Sequence, residues 1–272
     1  MLNAIQTAFA QARAAGRTAI MPYVTAGFPE REDTPELVAA LARGGAAMVE
    51  LGIPFSDPTA DGTAVQRSGQ RALENGVTLA DCLRLAKASH ARAGIPLLLM
   101  GYYNPFLQYG LDRLCREARD SGVAGFIVPD LPPEEADEIG PLVERYGLDL
   151  VLMAAPISSP ERLALIGRRS TGFVYCVTVR GVTGARTDLP PDLPAFLERV
   201  RSHTSLPIAA GFGISTPEHV REVGRYADGA VVGSALVTLL ERTALPERVA
   251  AAEAFVRALS SGSAVAAAPA RT

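Results

Sequence analysis

Two acidic side chains, Glu50 and Asp61, frame one short proline-interrupted stretch of the chain. Glu50 stands at the carboxyl end of an apolar run, and Asp61 follows it across a loop that can fold back over the same place. A carboxylate at the end of a buried strand is desolvated, which raises its pKa and suits it to exchanging a proton near neutral pH. The pair therefore predicts acid–base chemistry with Glu50 as proton carrier. The alternative is that Glu50 pairs with a basic residue and the loop is only a turn.

Two glycine-containing segments late in the chain are suited to binding an anion. The segment 211–217 begins Gly-Phe-Gly, and Gly233 with Ser234 precedes a helical stretch at 235–242. Glycine lets backbone N–H groups approach an anion closely, and a helix N-terminus adds a favourable dipole. Together the segments predict a phosphate site that includes Gly213, Gly233 and Ser234. Gly-Phe-Gly alone is also compatible with an ordinary turn.

Composition limits the classes of protein to which the chain can belong. Its 272 residues, 48% of them apolar, suffice for the core of one α/β barrel. The net charge is −3 and no basic run is interleaved with aromatic residues, so nucleic-acid binding is not predicted. Cys82, Cys115 and Cys176 are scattered without metal-ligand spacing, which predicts buried reduced thiols and no metal site.

No targeting or membrane segment is expected. Residues 1–15 have the pattern of an amphipathic helix and lack the long apolar core of a signal peptide. No apolar run reaches the length of about 18 residues that a membrane span requires. We therefore expect a cytoplasmic protein.

Short apolar runs alternate with helical stretches along the whole chain. The eight predicted strands are Ala19–Thr25, 48–51, Leu97–Met100, 125–128, 148–153, 172–178, 207–210 and Gly229–Val232. Predicted helices between them include 35–43, Leu79–Ala93, 111–121 and 134–146. The strands are continuous apolar runs, as is typical of strands covered on both faces.

Eight such units predict a (β/α)8 TIM barrel as a single domain over residues 1–259. An extra helix precedes the barrel, and the stretch 235–242 forms a short extra helix at the phosphate site after the eighth strand. Residues 260–272, rich in Ser, Ala and Pro, are predicted to be a disordered tail. The loop at 179–186 is long and contains several glycines, which predicts a mobile lid.

Several of these segments together resemble one known family, the tryptophan synthase alpha subunit. They are 50–62, 101–105, 181–186, 211–215 and Gly233-Ser234, and the similarity runs in order from about residue 4 to 259. The 50–62 string is a highly specific signature, and Gly-Val-Thr-Gly in the predicted lid supports it independently. The resemblance implies a lyase that cleaves indole-3-glycerol phosphate to indole and glyceraldehyde 3-phosphate.

The resemblance also implies roles for individual residues, carried over position by position. Glu50 and Asp61 match the catalytic carboxylates. The remaining matches are Gly184, Gly213, Gly233 and Ser234 at the phosphate site, Tyr175, Thr183 and Phe212 lining or closing the substrate site, and Asp57 and Pro132 facing a beta subunit. Tyr102, with Phe212, is a candidate to sandwich the indole, although a core aromatic is the alternative for Tyr102.

Three positions depart from the family pattern. Tyr23, counted among the substrate-binding candidates, stands where a phenylalanine is usual. Thr59 and Thr63 flank Asp61 where apolar residues or proline are more common. These departures bear on substrate preference more than on the reaction.

The implied reaction is a retro-aldol cleavage, and the two carboxylates are suited to its two demands. The ring carbon gains a proton, so positive charge develops at the ring nitrogen, where an ionised Asp61 would stabilise it. Glu50 would remove the proton of the hydroxyl next to the breaking bond, and is also placed to protonate the ring carbon. These roles predict that Glu50 is buried and has a raised pKa, and that Asp61 lies in a more polar environment in which it stays ionised.

The resemblance implies a partner as well. A beta subunit with pyridoxal phosphate would receive the indole, the expected assembly is alpha2beta2, and no cofactor is expected in this chain. Two other hypotheses stay open from the sequence: a stand-alone lyase that releases free indole, and a non-catalytic barrel that serves as an allosteric partner. A generic phosphosugar isomerase would explain the phosphate loops but not the acidic loop.

Overall fold

The computed structural model describes residues 3–177, 189–211 and 213–264. The strands are β1 (Ala19–Thr25), β2 (Val49–Gly52), β3 (Leu97–Met100), β4 (Val123–Ile127), β5 (Asp149–Val151), β6 (Met153–Ala154), β7 (Val174–Val177), β8 (Ile208–Gly211) and β9 (Gly229–Val232). They pair in parallel, in the order β5-β4-β3-β2-β1-β9-β8-β7-β6. Strands and helices alternate, so each crossover places a helix on the outer face of the sheet.

The helices follow the predicted alternation. They are α1 (Ala4–Ala14), α2 (Thr34–Arg43), α3 (Thr63–Glu74), α4 (Leu79–Ala93), α5 (Tyr103–Tyr109), α6 (Leu111–Asp120), α7 (Gly140–Arg145), α8 (Pro160–Arg169), α9 (Leu193–Arg201), α10 (Pro217–Val223), α11 (Ser234–Arg242) and α12 (Arg248–Gly262). Short 3-10 turns stand at Pro133–Glu135 and Leu245–Glu247. The predicted N-terminal helix and the extra helix after the last strand are α1 and α11.

The nine strand segments make an eight-stranded barrel because β5 and β6 are two parts of one strand, interrupted at Leu152. β5 pairs with β4 and β6 pairs with β7, so the two parts join the ends of the sheet. The Tyr175 backbone N–H donates to the Leu152 carbonyl at 3.1 Å across this junction. The predicted barrel is confirmed, and its fifth strand, predicted as continuous over 148–153, is divided.

Helix α1 fills the amino end of the barrel. Ile5 and Phe9 are buried, and the Phe9 ring lies 5.5 Å from that of Phe173. They belong to an interior cluster that also includes Met21, Met48, Leu98, Ile127, Val151, Ala209 and Val231. Burying a side chain of this size contributes about 1.5–3 kcal/mol. With the amino end packed in this way, the carboxyl ends of the strands carry the polar groups that are available for chemistry.

Most predicted boundaries shift by one or two residues, and two segments differ more strongly. The helix predicted over 134–146 is a 3-10 turn followed by α7, because Pro141 lacks an N–H and starts a new helix rather than continuing one. Helix α12 extends to Gly262, beyond residue 259, where the predicted barrel ends. The Ser260 hydroxyl donates to the Gly44 carbonyl at 3.0 Å, and Ala264 bridges to Arg17. These contacts attach residues 260–264 to the barrel.

The predicted lid at 179–186, with Thr183 and Gly184, lies outside the described residues, as do Phe212 and residues 265–272. None of the described helices is both long and apolar enough to cross a membrane.

Candidate active site

Glu50 is fully buried near the carboxyl end of β2, where Tyr23 of β1 is its paired neighbour. Neither carboxylate oxygen has a hydrogen-bond partner among residues 3–177, 189–211 and 213–264. Burial alone raises the pKa of Glu50 well above its ordinary value, because the charged form loses its hydration and gains nothing in return. The alternative that Glu50 pairs with a basic residue is therefore wrong for the described part of the chain.

Asp61 lies half-buried in the loop between β2 and α3, and Tyr102 holds that loop. The Tyr102 hydroxyl accepts a hydrogen bond from the Ala60 N–H at 2.9 Å, and its ring lies 5.3 Å from that of Phe55. Burial raises the pKa of Asp61 to about 6, while a hydrogen bond from Tyr102 opposes that rise. Asp61 is therefore ionised at pH 7, although less readily than an ordinary aspartate.

Two tyrosines share the interior with these carboxylates. Tyr23 and Tyr175 are both nearly inaccessible to solvent. Burial, followed by the negative charges of Glu50 and Asp61, raises the pKa of each phenol above its ordinary value. Both phenols therefore remain neutral and available for hydrogen bonding. Glu50, Asp61, Tyr23 and Tyr175 therefore lie close enough to interact electrostatically, and their roles in the site stay predictions.

The two predicted phosphate loops follow neighbouring strands, β8 and β9. Gly213 has φ +70°, a conformation that favours glycine, and a Cβ there would meet no atom of the described residues within 4 Å. Gly233 is the N-cap of α11, and its carbonyl accepts from the Val237 N–H at 3.1 Å. Ser234 is the first residue of that helix and is exposed. The two loops thus follow paired strands, and the second of them leads directly into helix α11.

The tyrosines connect the carboxylates to these glycine loops. A Cβ at Gly211 would lie 2.7 Å from the Tyr175 hydroxyl, and a Cβ at Gly233 would lie 3.7 Å from the Cβ of Tyr23. Both rings therefore reach from the carboxylate side of the site to the loops after β8 and β9.

Sequence reasoning missed three contributors to the site. Phe55 packs against Tyr102, while Thr25 and Ser68 form a hydrogen-bonded chain with the Tyr23 hydroxyl. The available signal was a threonine two positions after Tyr23, because alternate residues of a strand point to the same face. Ser68 offered no such signal, since its position depends on how α3 packs against the barrel.

The candidate partner residues lie on surface segments that follow strands. Asp57 is exposed and accepts a hydrogen bond from the Ser56 hydroxyl, and Pro132 is half-buried before the 3-10 turn. Leu107 on α5 and Ile157 after β6 are large apolar side chains with 45% and 80% of their surface exposed. Exposed apolar side chains of this size are suited to contact with another protein.

No group of three or more His, Cys, Asp or Glu side chains is arranged for a metal ion within the described ranges. Cys82, Cys115 and Cys176 are free and buried, as predicted, and burial raises the pKa of each thiol. The ionisable groups that gather at the strand ends are therefore carboxylates and phenols. This arrangement suits proton transfer on a substrate that is anchored by an anionic group.

Comparisons with known proteins agree on one family. The family model described as tryptophan synthase alpha chain matches residues 9–264. The tryptophan synthase alpha chain of Chloroflexus aggregans is 54% identical over 261 residues, covering 96% of this chain and 98% of that protein. The alpha chain of Roseiflexus castenholzii is 52% identical over 259 residues, covering 95% and 99%.

Solved structures give the same result for the fold. A chain of tryptophan synthase from Mycobacterium tuberculosis superposes with a TM-score of 0.89 at 34% identity, covering 98% of this chain and 100% of that one. The tryptophan synthase alpha subunit of Legionella pneumophila gives 0.88 at 33% identity, covering 96% and 98%.

Proposed function

We propose that Glu50 and Asp61 catalyse the reaction of this chain, which belongs to the tryptophan synthase alpha chain family and is a lyase that performs the alpha reaction of that enzyme. The substrate is indole-3-glycerol phosphate, which is cleaved to indole and glyceraldehyde 3-phosphate. The observation that carries the proposal is the burial of Glu50 without a hydrogen-bond partner among the described residues, in the same interior as Asp61.

The cleavage divides between the two carboxylates. Protonated Glu50 gives its proton to the ring carbon, and the resulting carboxylate then takes the proton from the hydroxyl next to the breaking carbon–carbon bond, so that this carbon becomes the aldehyde of glyceraldehyde 3-phosphate. The bonding electron pair goes to the indole ring, whose carbon has been protonated, and indole is released. Ionised Asp61 stabilises the positive charge that develops at the ring nitrogen during this step.

The pKa values of the two carboxylates support this division. Burial raises the pKa of Glu50, which favours its protonated form and suits it to give a proton and take one back. Asp61 has a pKa of about 6 and a hydrogen bond from Tyr102, so its charge is available at pH 7. Environments that separate the pKa values of neighbouring carboxylates are a common basis for distinct catalytic roles.

The phosphate of the substrate binds at the loops after β8 and β9. Gly213, Gly233 and Ser234 supply open space and backbone N–H groups, and α11 contributes the positive end of its dipole. Gly184, Thr183 and Phe212, which lie outside the described residues, complete the predicted set. Anchoring the phosphate there fixes the three-carbon chain between these loops and Glu50.

Members of this family work with a beta subunit, and we place the partner surface at Asp57 and Pro132. We assign to the partner surface also Leu107 and Ile157, two exposed apolar side chains on segments that follow β3 and β6. The assembly is an alpha2beta2 heterotetramer in the cytoplasm. Pyridoxal phosphate resides in the beta subunit, which consumes the indole, and this chain needs no cofactor of its own.

The test is a product assay on the purified chain. Indole-3-glycerol phosphate is added, and indole and glyceraldehyde 3-phosphate are measured separately. Equal amounts of the two products, slow for the chain alone and faster with a beta subunit, support the proposal. No products under either condition would refute the reaction, whereas rapid cleavage that is unchanged by the beta subunit would instead indicate a stand-alone lyase.

A further inference from the structure

Three buried hydroxyl groups form a chain that begins at Tyr23. The Tyr23 hydroxyl lies 3.1 Å from Thr25 Oγ1, and Thr25 Oγ1 lies 2.6 Å from Ser68 Oγ. Ser68 Oγ donates to the Val65 carbonyl oxygen at 2.8 Å. Thr25 and Ser68 are inaccessible to solvent. The chain thus links a site tyrosine on β1 to helix α3, which begins directly after the Asp61 loop.

The end of this chain fixes the direction of every hydrogen bond in it. A carbonyl oxygen can only accept, so the single hydroxyl hydrogen of Ser68 points to Val65. Ser68 must then accept from Thr25, whose own hydrogen is thereby used. Thr25 must in turn accept from Tyr23. This is the one arrangement that makes all three contacts hydrogen bonds, and it leaves the Tyr23 oxygen able only to accept.

The Tyr23 side chain extends from the loop after β9 to β2, the strand that carries Glu50. A Cβ at Gly52 would lie 2.0 Å from the Tyr23 hydroxyl oxygen, so the phenol passes over β2 at the inward position following Glu50. The opposite end of the side chain lies beside Gly233. The phenol therefore occupies the interval from Gly233 to β2, the same interval that a substrate bound at Gly233 and Glu50 spans.

We propose that Tyr23 is a specificity-determining residue, whose phenol oxygen accepts a hydrogen bond from a hydroxyl of the three-carbon chain of the substrate. The hydroxyl concerned is the one that keeps its proton, since the other gives its proton to Glu50. This inference rests on the proposed function and deepens it. A buried oxygen that can only accept a hydrogen bond favours a substrate whose three-carbon chain carries a hydroxyl over one whose chain lacks it.

The test compares two ligands that differ only in the chain hydroxyls. Indole-3-glycerol phosphate reports kcat and KM, and indole-3-propanol phosphate, which has the same ring, chain length and phosphate, reports a dissociation constant. Tyr23→Phe should lower kcat/KM about tenfold, the value of one hydrogen bond to a desolvated group. Its affinity for the propanol compound should stay within twofold of wild type or increase. Equal weakening of both ligands would assign Tyr23 to ring packing and overturn the inference, as would no change in either.

Two variants of Thr25 test the direction of the hydrogen bonds between Tyr23, Thr25 and Ser68. Thr25→Val keeps the side-chain shape but removes the hydroxyl that accepts the hydrogen bond from Tyr23. The Tyr23 oxygen is then no longer fixed as an acceptor, so kcat/KM should fall. Thr25→Ser keeps the hydroxyl and should leave kcat/KM within twofold of wild type. An equal loss of kcat/KM in both variants, or no loss in either, contradicts the proposed direction of these hydrogen bonds. Far-UV circular dichroism and the Tm of each variant establish that it is folded.

The outcomes separate this inference from the proposed function. Absence of cleavage by the wild-type protein would refute the function itself. Loss of turnover in Glu50→Gln, together with a Tyr23→Phe variant that matches wild type on both ligands, would refute only the role of Tyr23.

Discussion

The hydroxyl of Tyr102 accepts a hydrogen bond from the backbone N–H of Ala60 at 2.9 Å, which ties the loop of Asp61 to the end of β3. The same hydroxyl lowers the pKa of the Asp61 carboxyl through a hydrogen bond, against the effect of burial. One phenol therefore both places the loop and keeps its carboxylate ionised. We therefore expect the tyrosine to act on the reaction through Asp61, and its candidate role in stacking on the indole stays a prediction.

Tyr102→Phe should raise the pKa of Asp61 from about 6, because the ionised carboxylate loses a hydrogen-bond donor. A charge-assisted hydrogen bond of about 1.4 kcal/mol corresponds to about one pKa unit. The loss of kcat should therefore be larger at pH 6.5 than at pH 8. The Asp61 pKa can be read from the carboxyl 13C chemical shift, assigned by its absence in Asp61→Asn.

Tyr103→Phe is the matched control, because the Tyr103 hydroxyl donates at 2.6 Å to Glu138, away from the carboxylates. An Asp61 pKa that stays near 6 in Tyr102→Phe would refute the tie between Tyr102 and Asp61.

Gly213→Asp should raise KM for indole-3-glycerol phosphate at least about tenfold, since a carboxylate would occupy and repel the anion site. Dephosphorylated indole-glycerol should be affected much less. Steady-state kinetics with the two substrates measure the difference. Gly147→Asp is the control for backbone strain, because Gly147 has φ +67° and open space around its Cβ but lies outside the phosphate loops. Equal losses with both substrates would remove Gly213 from the phosphate site.

Glu50→Gln should stabilise the fold, and more so at pH 8 than at pH 5. The folded-state pKa of Glu50 lies above the unfolded value, so the wild type is favoured below the unfolded value of about 4.3 and loses stability as the pH rises through the folded one. Gln carries no charge and avoids this loss. We expect the Tm difference to grow by at least about 2 °C between the two pH values. Thermal melts measure it, and a difference independent of pH would contradict a buried carboxyl with a raised pKa.

Asp57→Ala should keep the slow turnover of the isolated chain but lose most of the acceleration that a beta subunit gives. Asp57 and Asp61 share one loop, so a partner that binds Asp57 can favour the position in which Asp61 is active. The measurement is kcat with and without the beta subunit, and Glu144→Ala, which removes an exposed carboxylate of α7, is the control. Full activation of Asp57→Ala would show that coupling does not run through this residue.

The barrel was predictable because its signals are local. β1, β3 and β9 begin and end at their predicted residues, since each is a largely apolar run that is followed by a loop of the candidate site. Glu50 could be found for the same reason, as a carboxylate that ends such a run. The break before α7 was missed because one proline outweighed an apolar pattern that otherwise continued.

The site details that were missed depend on contacts between distant segments. The hydrogen bond between Tyr102 and Ala60 requires the loop after β2 to fold onto the end of β3. Ser68 reaches Thr25 only because α3 packs against β1. Neither contact leaves a periodic or compositional trace in the sequence, so tertiary structure was needed to find it.

The most direct test of the account is the turnover of Glu50→Gln with indole-3-glycerol phosphate. The amide keeps the shape of the side chain but cannot carry a proton, so kcat should fall by at least the ~10²–10⁴ typical of general acid–base groups. Asp149→Asn, which neutralises another buried carboxylate of the barrel, should leave kcat within about twofold of wild type. A folded Glu50→Gln protein that turns over within tenfold of wild type would contradict the central claim that Glu50 is the proton carrier.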